Sequence, residues 1–438
     1  MAGEWQEVTI GKFAPFVYGK GLPEQTRNPN GAFPVFGSNG IVGWHDKPLT
    51  EGPTLIIGRK GTVGAVHFSL LPCWPIDTTF YITGYDFTLI RYRYYLLKSL
   101  GLEHMNSDSA VPGLNRDAAH ARIVCIPKDE SEQKAIAHIL GTLDDKLELN
   151  RRMNKTMEEM ARAIFKSWFV DFDPVHAKAA VRREHSNWTN AQVSRAALPK
   201  LNPEIAELFP DSFEDSELGE IPKGWMVKKI QDITERVSMG PFGSSIKVDT
   251  FVPEGIPIIS GQHLNGLMLE DNTFNFITHE HAERLKNSNV ERGDIVLTHA
   301  GNIGQVAYIP DNSRYEKYII SQRQFFMRCD RRQVTPRFMI LYFKTGEGQY
   351  RLLANTSSSG VPSIAQPVTY LRTIPLITPQ KLLIDTFDKL INPLFIRMRQ
   401  NQNKSNTLSA LRNALLPKLI SGELRVKDAE SFLKERRL

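Results

Sequence analysis

Residues 61–68 read GTVGAVHF and residues 301–308 read GNIGQVAY, with two glycines and a closing aromatic residue in the same places. Outward from this stretch, the match continues at Trp5 and Trp225 near the start of each copy, and at Pro112 and Pro362 near the end. A chain that repeats its features in one order is built from two copies of one unit. Two such units favour a molecule that binds its target at two places.

A long heptad pattern closes each copy. Its seam positions recur every four and three residues: Ile136, Leu140, Leu143, Leu147, Asn150, Asn154, Met157, Ala161, Ile164 and Trp168 in the first copy, and Phe387, Ile391, Leu394, Met398, Asn401, Ser405, Leu408, Arg412, Leu415 and Leu419 in the second. At 1.5 Å per residue, about 38 helical residues give a rod of about 57 Å. The short β segments and turns before each helix predict α+β modules.

The middle of each seam is polar. Asn150 and Asn154 occupy it in the first helix, and Asn401 and Ser405 occupy it in the second. If the two helices pack antiparallel, Asn150 falls opposite Ser405 and Asn154 falls opposite Asn401, and these side chains would fix the register of the pair. The alternative is a solvated kink in both helices. Gly141 weakens the first helix in this region, and Pro393 weakens the second.

The composition indicates a protein with substantial hydrophobic cores and a weak overall charge. Its 54 basic and 48 acidic residues give a net charge of +6, which alone is poor support for nucleic-acid binding. Residues 314–351, however, hold nine Lys or Arg against three acids, an excess equal to that of the whole chain. We therefore expect positive charge to be concentrated in the second copy.

Three cysteines, Cys73, Cys125 and Cys329, are too widely spaced for a zinc pattern and odd in number, so the sequence predicts neither a metal site nor a disulfide framework. This usage is typical of a reducing compartment. The N-terminus has no apolar leader, and no apolar run approaches the roughly 20 residues that span a bilayer. We expect a cytoplasmic protein without a membrane partner.

Three strings resemble the specificity (S) subunit of type I restriction-modification systems. They are IFKSWFVDFDPV at 164–175, IPKGW at 221–225 and LLPKLISGEL at 415–424. The first and third are similar to the ends of the family's two central helices, and the second is similar to the usual entry into its second target-recognition domain. The strings occur in the family's order, and the resemblance covers nearly the whole chain.

The resemblance implies an α+β fold with two globular target-recognition domains separated by two long antiparallel coiled-coil helices, related by an internal pseudo-two-fold repeat. The predicted boundaries are 1–125 for the first target-recognition domain, 126–173 for the first spacer helix, 174–222 for a surface connector, 223–376 for the second target-recognition domain and 377–438 for the C-terminal spacer helix.

In that family, each target-recognition domain reads one half of a bipartite double-stranded DNA site, and the helices set the unread gap. The resemblance implies a non-catalytic chain without a cofactor or metal of its own. Two modification (M) subunits would methylate adenine with S-adenosylmethionine. Two restriction (R) subunits would use ATP and magnesium for translocation and cleavage.

The residues themselves offer no complete catalytic motif. Residues 58–64 read GRKGTVG, which has the glycines of a phosphate-binding loop without its Lys-Ser/Thr ending. Residues 392–395 read NPLF, close to an adenine-methyltransferase loop, but they lie inside the heptad pattern. Two alternatives stay open. One is a free-standing regulator that binds a split operator without methyltransferase partners, and the other is a single-chain nuclease or methyltransferase, which the missing motifs disfavour.

Polar and cationic loops are the candidates for reading DNA, because amides and guanidiniums suit base edges and cations suit phosphates. The candidates are Arg59, Lys60, Thr62, Asn115 and Arg116 in the first module and His299, Asn302, Gln305, Gln322, Arg323, Gln324, Ser358 and Ser359 in the second. The choice rests on residue chemistry alone, since target-recognition domains of the family diverge. Alternatively, the glycines serve only a tight turn, and the serines are merely exposed.

Four aromatic residues at the end of the first helix are candidates for docking M subunits: Phe165, Trp168, Phe169 and Phe172. The alternative for these side chains is burial in the protein's own junction between helix and module, especially for Trp168, which lies on the seam.

Overall fold

The computed structural model describes residues 4–105, 113–243, 245–271, 273–357 and 360–435. The chain divides into two compact units, Met1–Asn150 with Lys404–Leu438, and Arg151–Asn403. Each unit therefore contains one module, part of the first long helix and part of the second. None of the helices in the described ranges is long and apolar enough to cross a membrane.

The first module consists of short strands and helices. Its elements are β1 (Trp5–Thr9), α1 (Ile10–Phe13), β2 (Val17–Tyr18), β3 (Phe33–Gly37), β4 (Gly40–His45), β5 (Thr54–Gly58), β6 (Val66–Ser69), β7 (Trp74–Pro75), β8 (Thr79–Thr83), α2 (Phe87–Ser99), α3 (Arg116–Ala121) and β9 (Ile123–Pro127). The main sheet is antiparallel, in the order β2-β8-β5-β6. A second sheet has the order β4-β3-β7, with β3 and β7 parallel, and β1 pairs with β9.

A long helix and a smaller folded segment follow. The elements are α4 (Glu130–Phe169), α5 (Asp173–Glu184), α6 (Asn190–Ala197), α7 (Pro203–Ala206), β10 (Phe213–Ser216) and β11 (Gly219–Pro222). The last two strands form an antiparallel hairpin that leads into the second module.

The second module repeats the topology of the first. Its elements are β12 (Met226–Lys229), β13 (Thr234–Met239), β14 (Ile256–Ile259), β15 (Phe276–Ile277), α8 (His279–Arg284), β16 (Asn289–Glu291), β17 (Ile295–Thr298), β18 (Val306–Tyr308), β19 (Lys317–Ile320), β20 (Gln324–Cys329), α9 (Pro336–Phe343), α10 (Gly346–Leu353), β21 (Thr356–Ser357), β22 (Ser363–Ile364), α11 (Pro367–Thr373) and β23 (Pro375–Thr378). The antiparallel sheet β13-β20-β17-β18 matches β2-β8-β5-β6, the parallel pair β14 and β19 matches β3 and β7, and β12 pairs with β23 as β1 pairs with β9. The predicted α+β fold with an internal repeat is confirmed.

The chain ends in a second long helix, α12 (Lys381–Ser421), and a short helix, α13 (Val426–Glu435). In the first unit, the end of α12 packs against the start of α4, and one core contains Ile136, Leu140, Leu415 and Leu419. Asn150 Nδ2 donates to Ser405 Oγ at 3.2 Å. Arg412 Nη1, further along α12, meets Asp144 Oδ1, further back along α4, at 2.7 Å, so the two helices are antiparallel here.

In the second unit, the end of α4 packs against the start of α12, also antiparallel. Asn401 Nδ2 donates to Asn154 Oδ1 at 2.9 Å, and Asn154 Nδ2 donates to the carbonyl of Met398 at 3.1 Å. Towards the end of α4, the ring of Trp168 lies 5.6 Å from that of Phe387, near the start of α12. Asn401 is only 1% exposed, so its amide is satisfied by protein groups within the helix pair.

An arginine at the same place in each module anchors that module to its long helix. Arg91 in α2 forms two hydrogen bonds with Asp145 (2.9 and 2.7 Å) and one with the carbonyl of Gly141 (2.9 Å). Arg337 in α9 forms two with Asp388 (2.9 and 2.6 Å). A Cβ at position 141 would lie 2.7 Å from the Arg91 guanidinium, so the glycine that weakens the helix pattern is where the arginine approaches.

A buried ion pair also joins the second module to α12. The Arg399 guanidinium donates to Asp271 Oδ2, and both side chains are only 3% exposed. Asp271 also accepts from the backbone N–H of Arg314 at 2.8 Å and from the hydroxyl of Tyr318 at 3.1 Å. A charge pair removed from water in this way needs such additional donors to be stable.

The segment predicted as a surface connector is folded, and Val175 and Phe209 join the hydrophobic core of the second unit. Val175, Val193 and Phe209 are buried, and so is Lys178. The ammonium of Lys178 donates to Asn190 Oδ1 at 2.7 Å and to the carbonyls of Ala206 and Phe209 at 3.1 and 2.5 Å. Burial lowers the pKa of Lys178 to about 8.

Candidate nucleic-acid interface

The two loops predicted to read DNA in the first module lie side by side. The backbone N–H of Leu114 donates to the carbonyl of Arg59 at 2.9 Å, and Lys60 and Gly113 form an antiparallel bridge. Residues 59–62 follow β5, whereas residues 115–116 lead into α3. The structure thus brings together two segments that are more than fifty residues apart in the sequence.

A third segment, which sequence reasoning missed, completes this site. The backbone N–H of Arg59 donates to the carbonyl of Thr78 at 2.9 Å. The side chain of Arg59 donates from Nε and Nη2 to the carbonyl of Asp77 at 3.1 and 2.7 Å. We call the three segments 59–62, 76–78 and 113–116 the first platform. Lys60, Thr62 and Asn115 are exposed on it, whereas Arg59 and Arg116 are partly buried.

The glycines of the 59–64 loop have different roles. Gly61 has φ +80° and open space around it, while Gly64 has φ +73° and its Cα faces the backbone of Leu102 and Glu103, which a Cβ would overlap. Only glycine adopts such positive φ values without strain. Gly64 is thus required for packing, as its tight-turn interpretation predicted, and Gly61 leaves the exposed side of the loop free of side chains.

Tyr18 lies at the edge of the first platform, and the sequence did not single it out. Its ring is 50% exposed. The guanidinium carbon of Arg59 lies 5.5 Å from the ring centroid, and that of Arg116 lies 5.1 Å from it. The signal in the sequence was weak, because the three residues come from three separate segments.

Asn115 is the N-cap residue of α3, so one of its polar atoms is already in use. Its Oδ1 accepts from the backbone N–H of Ala118 at 3.0 Å, which is the hydrogen bond of a helix N-cap. Only the amide nitrogen of Asn115 is therefore left to donate to a ligand. Arg116 forms a 3.2 Å ion pair with its neighbour Asp117, whose side chain is largely exposed.

The second module builds an equivalent site from equivalent segments. The backbone N–H of Ile364 donates to the carbonyl of His299 at 2.8 Å, as Leu114 does to Arg59, and the N–H of His299 donates to the carbonyl of Arg323 at 2.9 Å, as Arg59 does to Thr78. We call the segments 299–305, 321–324 and 360–364 the second platform. Its backbone matches the first, but its side chains differ.

His299 takes the place of Arg59. Its Nε2 lies 3.1 Å from the carbonyl of Gln322, which can only accept, so Nε2 carries the proton. Burial lowers the pKa of His299, so the ring is neutral at pH 7 and Nδ1 is an acceptor. A cation in the first platform is therefore replaced by a neutral ring in the second.

The remaining candidates of the second platform divide by exposure. Asn302, Gln322 and Arg323 are exposed. Gln305 is partly buried, and its Nε2 donates to Asn265 Oδ1 at 3.3 Å. Ser358 and Ser359 lie outside the described residues.

Gln324 is not available to DNA, contrary to its prediction. It is 1% exposed and begins β20 opposite Thr298 of β17. Its Nε2 donates to Thr298 Oγ1 at 3.3 Å, and its Oε1 accepts from Ser321 Oγ at 2.6 Å. Its role is internal, because it holds the turn at 321–324 against the sheet.

Most arginines of the basic stretch 314–351 form ion pairs with acids, so much of its positive charge is compensated. Its ion pairs include Arg328 with Asp294 and Glu291, Arg331 with Asp311, Arg332 with Asp330, Arg337 with Asp388 and Arg351 with Glu347. Arg323 is an exception among the predicted DNA contacts. No carboxylate of the described ranges lies within ion-pair distance of it, and its Nη1 lies beside Gly301 of the same platform.

Three of the four predicted docking aromatics are interior residues. Phe165, Trp168 and Phe169 are at most 6% exposed and pack around Phe387 with ring centroids 5.0 to 5.8 Å apart. Phe172 is partly buried against Trp225, with centroids 5.5 Å apart. The docking prediction is therefore wrong for the three buried rings, because they fill the protein's own core.

No group of three or more His, Cys, Asp or Glu side chains in the described part of the chain is arranged to hold a metal ion. Cys73 and Cys329 are buried, and Cys125 is exposed, all three as free thiols.

Comparison with known proteins also divides this chain into two similar parts. A family model described as the type I restriction modification DNA specificity domain matches residues 2–159 and again residues 222–405. The HindI type I restriction enzyme specificity subunit of Haemophilus influenzae is 26% identical over 337 residues, which cover 72% of this chain and 71% of that protein. The MjaIX specificity subunit of Methanocaldococcus jannaschii is 25% identical over 395 residues, covering 86% and 78%.

A solved structure has the same fold. The crystal structure of a type I restriction-modification system S subunit from M. genitalium aligns with a TM-score of 0.57 and 16% identity, over 95% of this chain and 96% of that one. The two matches of the family model cover most of the sequence, and each contains one of the two repeated modules and part of the long helix that follows it. The chain therefore belongs to the type I restriction modification DNA specificity family.

Proposed function

We propose that this protein is the non-catalytic DNA-specificity subunit of a type I restriction-modification complex, in which each module reads one half of a bipartite site. The two target-recognition domains would be residues 1–125 and 223–376. The observation that carries the proposal is the pair of platforms, which share backbone hydrogen bonds but differ in side chains. Two sites with the same backbone arrangement but different side chains suit two half-sites of different base sequence.

The exposed groups of the platforms suggest how the work is divided. In the first platform, Arg59, Lys60 and Arg116 would hold phosphates and position the module, with Thr62 and Asn115 next to the bases. In the second, Gln322 and Asn302 have amides suited to adenine, and Arg323 has a guanidinium suited to guanine. Phosphate contacts orient a domain on the duplex, and base contacts select the sequence.

The long helices would act as spacer and docking surface. They contain 40 and 41 residues, so each is about 60 Å long at 1.5 Å per residue. Exposed apolar side chains on them suit a protein partner better than water: Leu149 in the first unit, and Met160, Leu382 and Leu390 in the second. We propose that two modification subunits bind there, that S-adenosylmethionine, ATP and magnesium act only in partner subunits, and that the complex works in the cytoplasm.

The central test is co-expression with candidate modification subunits, followed by sequencing that maps methylated adenines. We expect methylation at a two-part motif, and exchange of residues 223–376 for the same domain of a relative should change only one half of it. A stable complex without methylation would contradict the specificity role. Absence of any complex would favour the free-standing regulator instead.

Docking has its own test with a matched control. Leu390→Arg introduces a charge at an exposed apolar position, whereas Lys389→Arg introduces the same residue next to it without changing the charge. We expect Leu390→Arg to weaken co-purification with the modification subunit and Lys389→Arg to leave it unchanged. Equal recovery of both variants would rule out this face of α12 as the docking surface.

A further inference from the structure

The end of β2 lies against the first platform in a way that only glycine permits. Gly19 follows Tyr18, and its N–H donates to the carbonyl of Thr79 at 3.0 Å. A Cβ at Gly19 would overlap the carbonyl oxygens of Pro75 and Ile76. The strand end is therefore held against the 76–78 segment, and the preceding residue, Tyr18, is fixed at the edge of the platform.

The ring of Tyr18 has one packed side and an exposed remainder. Beneath it lies Phe80, which is fully buried, with ring centroids 5.0 Å apart at an angle of 63°. Phe80 itself stacks on Phe16. The packing against Phe80 fixes the tilt of the Tyr18 ring before a ligand binds. The side chain therefore loses less conformational entropy on binding.

Two guanidiniums from different segments lie close to the same ring. Arg59 is held by the carbonyl of Asp77, and Arg116 is the first residue of α3 and forms an ion pair with Asp117. A cation over an exposed aromatic ring contributes little to the free energy of folding, because water already solvates both groups. Two like charges close to a half-exposed ring instead form a surface that attracts a polyanion and presents a flat apolar group beside the charges.

The equivalent position in the second module carries a different side chain. Tyr18 is paired with Phe80, and Met239 is paired with Phe325 in the same place of the matching sheet. The following glycine is kept, since Gly240 donates its N–H to the carbonyl of Gln324 at 2.8 Å, as Gly19 does to Thr79. The backbone is thus constant while the side chain varies, as expected at a position that reads sequence.

We propose that Tyr18 is a specificity-determining DNA contact of the first module, with its exposed edge against a base while Arg59 and Arg116 bind the phosphates on either side. This inference rests on the proposed function. It adds a base-contacting residue to a platform whose other groups are mostly cationic, and it assigns the equivalent role in the second module to Met239.

The test uses the full chain in complex with its modification subunits and a library of randomised duplexes, from which bound molecules are sequenced. We expect Tyr18→Leu to lose base preference at one or two positions of one half-site, with the other half unchanged. Affinity for the wild-type motif should fall about 10-fold, within the range of a single base contact, and affinity for a scrambled duplex should stay within about 2-fold. Tyr18→Phe separates the hydroxyl from the ring and serves as the conservative variant.

Tyr85→Leu is the matched control, because Tyr85 is an equally large and more exposed aromatic residue of the same module outside the platform. It should select the wild-type motif. An unchanged motif with Tyr18→Leu, or equal losses on cognate and scrambled duplexes, would overturn the inference. If the wild-type complex itself selects no two-part motif, the proposed function fails, independently of Tyr18.

Discussion

Removal of one partner of the Asp271–Arg399 pair should destabilise the second unit strongly. Arg399→Met keeps most of the side-chain volume and removes the charge, which leaves the carboxylate of Asp271 buried without its cation. Breaking such a pair costs about 3–5 kcal/mol. Because Asp271 keeps its hydrogen bonds from Arg314 and Tyr318, we expect the lower end, about 3 kcal/mol.

The double variant Asp271→Asn/Arg399→Met isolates the charge. The asparagine oxygen can still accept from the Arg314 N–H, and its amide nitrogen can donate to the Tyr318 hydroxyl, while both charges of the pair are removed. We therefore expect each single variant to cost about 3 kcal/mol and the double variant to lie within about 1 kcal/mol of wild type. Such a cycle measures the pair itself rather than the two residues separately.

Urea unfolding followed by tryptophan fluorescence is the assay, with thermal unfolding as a second readout. For a unit of this size, about 3 kcal/mol corresponds to about 6–12 °C in Tm. Arg331→Met is the matched control, since the Arg331–Asp311 pair has a 3.0 Å separation but is more than half exposed, and it should cost less than about 1 kcal/mol. The reasoning is refuted if Arg399→Met costs no more than Arg331→Met, or if the two single losses simply add in the double variant.

Three further outcomes are expected. Asn401→Leu should lower the free energy of unfolding in urea by about 1–3 kcal/mol, because it leaves Asn154 without its buried partner. The double variant Asn154→Leu/Asn401→Leu should recover that loss. A single variant that stabilises the protein would contradict the register role. The pKa of Lys178 is about 8 in the folded chain and about 10.5 when unfolded, so the unfolded state binds more protons between these two pH values. The free energy of unfolding of wild type, relative to Lys178→Met, should therefore rise from pH 8 to 10.5. A difference that does not change with pH would be inconsistent with the buried ammonium. Arg323→Ala should weaken binding to the selected motif about 10-fold more than binding to a scrambled duplex in fluorescence anisotropy, and equal losses would leave only a phosphate contact.

The helices were predictable because their signal is local. The heptad rhythm repeats over ten seam positions in each copy, and counting along it places Asn154 opposite Asn401, where the structure has a hydrogen bond. The repeat in topology was predictable for the same reason, since matched glycines and aromatic residues occur in matched order. Neither inference needed knowledge of which distant segments meet.

The surface was harder to predict, because exposure depends on strand pairing. Residues 321–324 read SQRQ, a uniformly polar run, yet Gln322 and Arg323 are exposed while Gln324 faces the interior of the sheet. The charge excess of residues 314–351 was misleading for a similar reason. Arg328, for example, is neutralised by Asp294, which lies 34 positions earlier.

Aromatic residues were hard to assign in two ways. Phe165 and Trp168 were candidates for docking a partner, with burial as the alternative, and the structure places both in the core around Phe387. Tyr18 was overlooked, because its two arginines come from loops that the sequence does not connect. Composition alone cannot separate a buried aromatic cluster from an exposed one, since both use the same residues.

The division of the chain into units has a consequence for biosynthesis. Arg151–Asn403 is continuous, so the second unit has all its residues soon after its last strand is made. The first unit instead has to wait for Lys404–Leu438, which brings Leu415 and Leu419 to Ile136 and the Gly422 backbone to the ring of Trp5. The half of the protein that leaves the ribosome first is thus the last to be completed, and a premature stop near the C-terminus would damage the N-terminal module.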